Sequence, residues 1–233
     1  MDWKKHFNQQ AALFEETEFL KQVQKTVSGQ PITPAQFDAL VSDIRNSLDI
    51  RSDDFIFDMC CANGVITAKI AKACRAVIGI DFSEPLINIA GKYNKPANVT
   101  YFCMSVLDQN VKKLTNNPFS KVYMNESLQH FKEDDLPEIL ELIIAVSSPT
   151  PVILISGIPD IDKLWDFYDT DERREEYKRR KSQNQEAIGT WWSRDYIADV
   201  CLQNGLKCEF LSQNPILHSA HYRFDVRLTK LVN

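Results

Sequence analysis

The chain has 233 residues, 44% of them hydrophobic and 25% charged, with a formal net charge of −5. That length suits one α/β domain with additions and falls short of two ordinary domains. The acidic balance argues against a broad phosphate-binding face, which needs a marked basic excess, and makes a small molecule the expected partner, with no nucleic acid and no membrane.

Residues 1–46 precede the first strand signal. Trp3, Phe7, Leu13, Phe14, Phe19, Leu20 and Val23 are compatible with one or two amphipathic helices, and Ser28-Gly29-Gln30-Pro31 breaks that pattern. Thr33-Pro34-Ala35-Gln36 then resembles an N-cap with proline at the first helical position, and Phe37, Leu40, Val41, Ile44 and Leu48 continue one apolar face. Together they predict an N-terminal helical cap. Phe55 to Phe57 is an apolar run too short for a helix. It ends in Asp58, followed by small residues from Cys60 to Gly64 and then an apolar 3.6-residue period. A second run, Ala76 to Ile80, ends in Asp81 and a Ser-Glu-Pro helix start. This is the first βαβ unit of a doubly wound sheet, in which ligands bind beyond the carboxyl ends of the strands.

At these residues the chain resembles the class I S-adenosylmethionine-dependent methyltransferases of the small-molecule type. Their first motif, roughly D-x-G-C-G-x-G, stands here as Asp58-Met59-Cys60-Cys61-Ala62-Asn63-Gly64. Two of its glycines are replaced. Cys60 and Ala62 are small enough for close approach of backbone to ligand, but they do not take positive φ freely. The dinucleotide pattern G-x-G-x-x-G does not fit this spacing. The resemblance implies S-adenosyl-L-methionine as cofactor. Asp58, Cys60, Ala62 and Gly64 would lie about its methionine end, and Asp81 would accept from the ribose hydroxyls with Phe82 beside it. It also implies that the N-terminal cap closes over the cofactor, with Lys25 or Gln22 either in reach of the methionine carboxylate or solvated on a packed surface helix.

Val99 to Cys103 reads as the third strand, and the family pattern aligned on it puts Ser105 at the usual acid position near the adenine amine, with Val106 beside it and Asp108 three residues on. The fourth strand, Lys121 to Met124, runs into Asn125-Glu126-Ser127-Leu128-Gln129-His130-Phe131, which resembles the family's x-x-x-L-x-H-x segment. That likeness places Asn125 near the methionine moiety and leaves His130 either as a loop anchor, through a ring hydrogen bond, or as a general base. Glu126 is a candidate for positioning substrate or the cofactor ammonium.

A helix over Glu133 to Val146 and a buried apolar strand over Pro151 to Gly157 follow. Residues 158–190 differ in character and predict a lid insertion. Trp165, Tyr168 and Tyr177 are either substrate-pocket or core residues, and Arg179-Arg180-Lys181 either steers an anion or complements a helix C-terminus. A helix from Tyr196 to Asn204, capped by Gly205, a strand from Leu206 to Ser212 and an alternating strand through Phe224, Val226 and Leu228 close the chain. His218, His221 and Arg223 stand in the last loop before that strand, where it faces the cleft.

The six cysteines, at 60, 61, 74, 103, 201 and 208, form neither C-x-x-C pairs nor His-flanked spacings, so neither a disulfide framework nor a metal site is expected. No apolar run reaches bilayer-spanning length and MDWKKHFNQQ lacks a secretory apolar segment, which makes a cytoplasmic location the default. The expected architecture is a single α/β domain over residues 1–233. It has a doubly wound, seven-stranded, mostly parallel sheet with an antiparallel C-terminal hairpin, an N-terminal helical cap (1–46) and a lid insertion (158–190). The expected activity is in-line methyl transfer to a small molecule, such as a sugar or natural-product hydroxyl or an amine. His130 or His221 would be general base for a hydroxyl, in a monomer or homodimer. Two alternatives stand beside it. An RNA or protein methyltransferase would be favoured by an N/D-P-P-Y tetrad, which Asn125-Glu126-Ser127-Leu128 is not. A non-catalytic cofactor-binding protein is the other.

Overall fold

A computed structural model describes residues 1–231. Helix α1 (Trp3–Ala12) is started by Asp2, whose side chain accepts from the Lys5 N–H at 3.0 Å, and is followed by the single turn α2 (Phe19–Gln22). The Ser28-Gly29 break is a miniature hairpin, β1 (Thr26–Val27) with β2 (Gln30–Pro31). Helix α3 (Pro34–Leu48) has the expected start in the form of a reciprocal box: the Gln36 N–H donates to Thr33 Oγ1 and the Thr33 N–H to Gln36 Oε1.

The central elements follow as β3 (Phe55–Met59), α4 (Thr67–Ile70), β4 (Ala76–Asp81), α5 (Glu84–Tyr93), β5 (Val99–Cys103) and β6 (Phe119–Asn125). Then come α6 (Leu136–Val146), β7 (Ser147–Pro159), α7 (Leu164–Phe167), α8 (Asp171–Ser182), α9 (Arg194–Gln203), β8 (Leu206–Ser212) and β9 (Arg223–Lys230). The seven-stranded sheet has the order β5-β4-β3-β6-β7-β9-β8. Strands β5 to β7 pair in parallel, and β9 runs antiparallel to both β7 and β8. Chain direction across the sheet reverses between β4 and β6, on either side of β3, which is where a doubly wound sheet opens its ligand crevice.

Alternation along the strands builds two cores. Phe57, Ile80, Met124, Ile155 and Val226 point to the face covered by α6 and α9, while Ile56, Val77, Tyr123 and Leu154 point to the face covered by α3 and α4. Two expectations about helices are corrected here. α3 is not part of a cap: its apolar stripe, including Ile44 and Leu48, is a core layer under the sheet. The helix after Gly64 is only one turn of α-helix, continued by a 3-10 turn over Ala71–Ala73, because the chain must return to β4 at once.

Candidate active site

The carboxyl ends of β3, β4 and β6 open into a cavity of about 360 Å³, within the range of small-molecule sites. Its floor is the turn after β3. There the Cys61 N–H donates to the Ile80 carbonyl at 2.9 Å and the Ala62 N–H to Asp81 Oδ2 at 3.0 Å, which locks the turn against the end of the neighbouring strand. Cys60 and Ala62 both have positive φ, 64° and 49°, contrary to the expectation that residues with a Cβ avoid that region. A left-handed L-residue costs on the order of 1 kcal/mol or more. Of seven such non-glycine residues, four (Gln24, Cys60, Ala62 and Glu126) line this cavity, so backbone strain is concentrated where a ligand would meet the backbone.

Asp81 stands at the end of β4, 7% exposed, and holds the Ala62 N–H with one oxygen and the Ser83 N–H, at 2.9 Å, with the other. Burial nevertheless pushes its carboxyl up to about 6, against the pull of those two donors. Asp58, 3% exposed at the end of β3, accepts from Thr67 Oγ1 at 2.5 Å and from the Tyr123 hydroxyl. Burial raises it to about 7, outweighing both hydrogen bonds. Thr67 and Tyr123, which hold this carboxylate in place, carry no pattern that sequence reading recognised.

Cys60, Ala62, Phe82 and Asn125 also line the cavity, the last accepting from Ser156 Oγ at 3.0 Å. Three expected cofactor residues do not. Gly64 has φ 73° and lies under Tyr101 and Ala90, where a Cβ would overlap the tyrosine ring, so packing accounts for this glycine. Ser105 is exposed and its hydroxyl accepts from the Leu107 N–H, closing its own turn, while Val106 is buried in the core.

The cap closes the cavity from above. Phe7 of α1 packs against Phe82 with ring centroids 6.3 Å apart, and Ser83 Oγ donates to Asn8 Oδ1 at 2.8 Å. Gln22, fully buried, accepts from Asn63 Nδ2 at 2.8 Å and fastens the cap to the turn rather than facing the cavity. Lys25 does face it. Its ammonium is 3.1 Å from Glu126 Oε2, and at 7% exposure it is no solvated surface charge.

At the end of β6, Glu126 takes φ 49° and packs its side chain against Gly157, where any Cβ would overlap it. Burial raises the Glu126 carboxyl, but Lys25 and Arg223 together outweigh that effect and hold it below the usual range. His130 follows on a 3-10 turn (Leu128–His130) and is wedged between Trp3 at 4.2 Å and Phe7 at 5.1 Å. Burial, reinforced by the charges of Arg223 and His6, pushes its imidazole down to about 3, and its Nδ1 has no hydrogen-bond partner among the described residues. Aromatic contact therefore positions this ring, and no Nδ1 hydrogen bond anchors the loop.

The last loop reverses one expectation. His221 is exposed, outside the cavity, with Nδ1 2.8 Å from the His218 carbonyl, whereas His218 and Arg223 line the cavity. From residues 158–190, Phe167 and Ile188 reach the cavity, but Trp165, Tyr168 and Tyr177 do not. Tyr168 and Tyr177 pack with Trp191 and Tyr222 in a cluster that meets the cavity through Phe167, Ile188 and Tyr222, and Trp165 is 46% exposed. Arg179 and Arg180 both pair with Glu176, a helix-surface arrangement.

Residues 56–150 match a family model described as a methyltransferase domain, and this segment carries β3 to β6 with the carboxylates at their ends. Over this segment the chain is similar to methyltransferase domains. Among solved structures, the chain is similar to N-methyltransferase NodS from Bradyrhizobium japonicum in complex with S-adenosyl-L-homocysteine. The TM-score is 0.67 at 13% identity, over 99% of each chain. It is also similar to the cyclopropane synthase MmaA2 from Mycobacterium tuberculosis, at TM-score 0.67 and 13% identity over 99% of this chain and 100% of that one. At these identities the likeness is one of fold. Among curated proteins, a 23S rRNA uracil-C5 methyltransferase of Legionella pneumophila is 28% identical over 82 residues, 34% of this chain and 18% of that protein. An uncharacterized methyltransferase of Schizosaccharomyces pombe is 37% identical over 51 residues, 22% of this chain and 20% of that protein. The chain thus spans about a fifth of the length of the curated relatives it matches. Among the described residues, no helix is long and apolar enough to cross a membrane and no cluster of His, Cys, Asp and Glu is arranged to hold a metal ion.

Proposed function

We propose that this chain is a methyltransferase that moves a methyl group from S-adenosyl-L-methionine to a small-molecule acceptor by in-line displacement. The observation that carries this reading is the pair of buried carboxylates, Asp58 and Asp81, facing one cavity across the left-handed backbone of Cys60 and Ala62. That donor set suits the cofactor: Asp81 keeps lone pairs for ribose hydroxyls, Asp58 suits the ammonium, Asn125 the methionine chain, and the rings of Phe82 and Phe7 the adenine end. When bound, the cofactor supplies a methyl group already activated on a sulfonium. The protein's task is then alignment and exclusion of water, which α1 performs by lying over the cavity. Lys25 and Glu126 hold each other at the far wall.

The acceptor half combines His130, Glu126, His218, Arg223, Phe167 and Tyr222 in a closed space. His130 is too weak a base, at about 3, to take a hydroxyl proton efficiently near neutral pH, so we assign it the role of a neutral hydrogen-bond acceptor that orients the acceptor. The enclosure by α1 and by Phe167 and Ile188 favours a small acceptor over RNA or protein.

Calorimetry with S-adenosylhomocysteine tests the cofactor half. Binding is expected, and Asp81→Ala is expected to weaken it about 100-fold, the loss of two hydrogen bonds to a charged group. A native protein that binds none of it is not a methyltransferase of this kind. Labelled cofactor incubated with cell extract tests the rest: label in the small-molecule fraction supports the reading, label confined to precipitated RNA or protein replaces it, and binding without transfer favours a non-catalytic role.

A further inference from the structure

Glu126 acts on the charge of Arg223 only from a distance, and Arg223 makes no direct ion pair among the described residues. This side chain is 9% exposed and lines the cavity, yet its hydrogen bonds go to neutral groups: Nη1 donates to the Gly157 carbonyl and, at 3.4 Å, to Gln129 Oε1. Among the described residues it has no ion pair and no acceptor for Nε or Nη2. Arg194 shows the structural alternative in the same molecule, with Nε and Nη2 both 2.9 Å from Asp160 Oδ2. A guanidinium with five donors, buried without a carboxylate, is costly unless a ligand completes it.

The neighbouring carboxylates are engaged elsewhere. Glu126 is taken by Lys25 at 3.1 Å. Asp225 lies outside the cavity wall, accepting from the Gly157 N–H at 2.7 Å and from Gln213 at 3.0 Å. The cavity wall here therefore carries two cations, Lys25 and Arg223, and one carboxylate.

Building on the proposed methyl transfer, we infer that the acceptor carries a compact anionic group, a carboxylate or a phosphate-type oxyanion, that is seated on Arg223. The cofactor's own carboxylate does not fill this role. Arg223 begins β9, and its guanidinium is held at the Gly157 carbonyl of β7 and at Gln129 after β6, on the opposite side of β6 from the turn at Cys60 and Ala62. The anion on Arg223 and the donor-accepting His130 then fix two points of the acceptor, and the apolar surfaces of Phe167 and Tyr222 hold the body between them. Arg suits this task better than Lys because its planar fork binds an oxyanion through two donors at once.

The test titrates the protein, free and saturated with S-adenosylhomocysteine, with inorganic phosphate and with benzoate. At least one anion is expected to bind, at least tenfold more weakly in Arg223→Gln, with partial recovery in Arg223→Lys and less than a twofold change in S-adenosylhomocysteine affinity. Phosphate alone or benzoate alone identifies which oxyanion the site takes. Binding of neither anion, equal binding by the native protein and Arg223→Gln, or loss of S-adenosylhomocysteine affinity in Arg223→Gln overturns the inference. Should Arg223→Gln not fold, crystals of the native protein soaked in arsenate and, separately, in 4-bromobenzoate decide instead: either anion on Arg223 supports the inference and the absence of both there ends it. A protein that binds the anion on Arg223 but no S-adenosylhomocysteine sinks the cofactor reading and leaves this one standing.

Discussion

The two halves of the cavity are built in opposite ways. The half at β3 and β4 is made from one stretch of chain, Asp58 to Ser83, in which a locked turn, two carboxylates and backbone donors are neighbours in sequence. The half at β6 and β9 is gathered from far apart: Lys25 before β1, Glu126 and His130 after β6, Phe167 in α7, His218 and Arg223 near the end. The first half is a local device that many sequences can carry unchanged. The second is a meeting of loops, each free to vary while the sheet holds them in place, which is how one fold serves many acceptors.

The contrast is sharpest in charge. Asp58 and Asp81, raised to about 7 and about 6, hold protons in the folded protein well above the 3.8 of an ordinary aspartate. Stability of the free protein is therefore expected to fall as pH rises from about 4 to about 7, because the native state binds the more protons in that window. A ligand that donates to these carboxylates favours their ionised forms, so S-adenosylhomocysteine affinity should rise over the same window, by about tenfold or more between pH 5 and 7.5. Calorimetry across that range, in buffers of different ionisation enthalpy, reads both the affinity and the protons released; a flat profile would mean that neither carboxylate meets the ligand.

Lys25 breaks the comparison from the other side, since it joins the cap to the acceptor half. Lys25→Met leaves Glu126, 28% exposed, without its cation, and should cost about 1 kcal/mol of stability after discounting for solvent. Adding Glu126→Gln should recover most of that loss. Urea midpoints of the two single variants and the double variant give the coupling, and additive losses would show that the pair is not an interacting one.

The smallest effect concerns the turn. Ala62→Gly removes the left-handed penalty at φ 49° while adding backbone entropy to the unfolded chain, so a net gain of about 0.5 kcal/mol is expected. A loss in the urea midpoint would show that the Ala62 methyl packs usefully against the turn.

The strands and the first half of the site were legible because their signals are local. Runs of the right length ended in Asp58 and Asp81, and the strand bounds over Val99–Cys103 and Leu206–Ser212 agree residue for residue. The spacing from Asp58 to Gly64 pointed to the right turn but to the wrong reason for Gly64, since the Tyr101 side chain that demands it comes from another strand. Ser105 was assigned by alignment to a family position, but its hydroxyl is spent on its own turn. His221 was named as a base from its intrinsic pKa, which His218 shares. The two are three residues apart, and only the fold of that loop decides which ring meets the cavity. Of the two alternatives for Tyr168 and Tyr177, the fold takes the core one, in a cluster that Phe167 packs against while also lining the cavity.

The sequence by itself determined a doubly wound sheet, the strand ends that carry acids and the place of the small-residue turn after β3, because alternation, run length and turn chemistry act between residues close along the chain. Tertiary structure alone decided that Cys60 and Ala62 are held left-handed by the end of β4, that Lys25 meets Glu126, and that Arg223 lines the cavity with hydrogen bonds to neutral groups only. Each of these depends on groups separated by many residues and brought within a few ångströms by packing. Their energies come from burial and from the absence of a partner, and neither is written in the order of the residues.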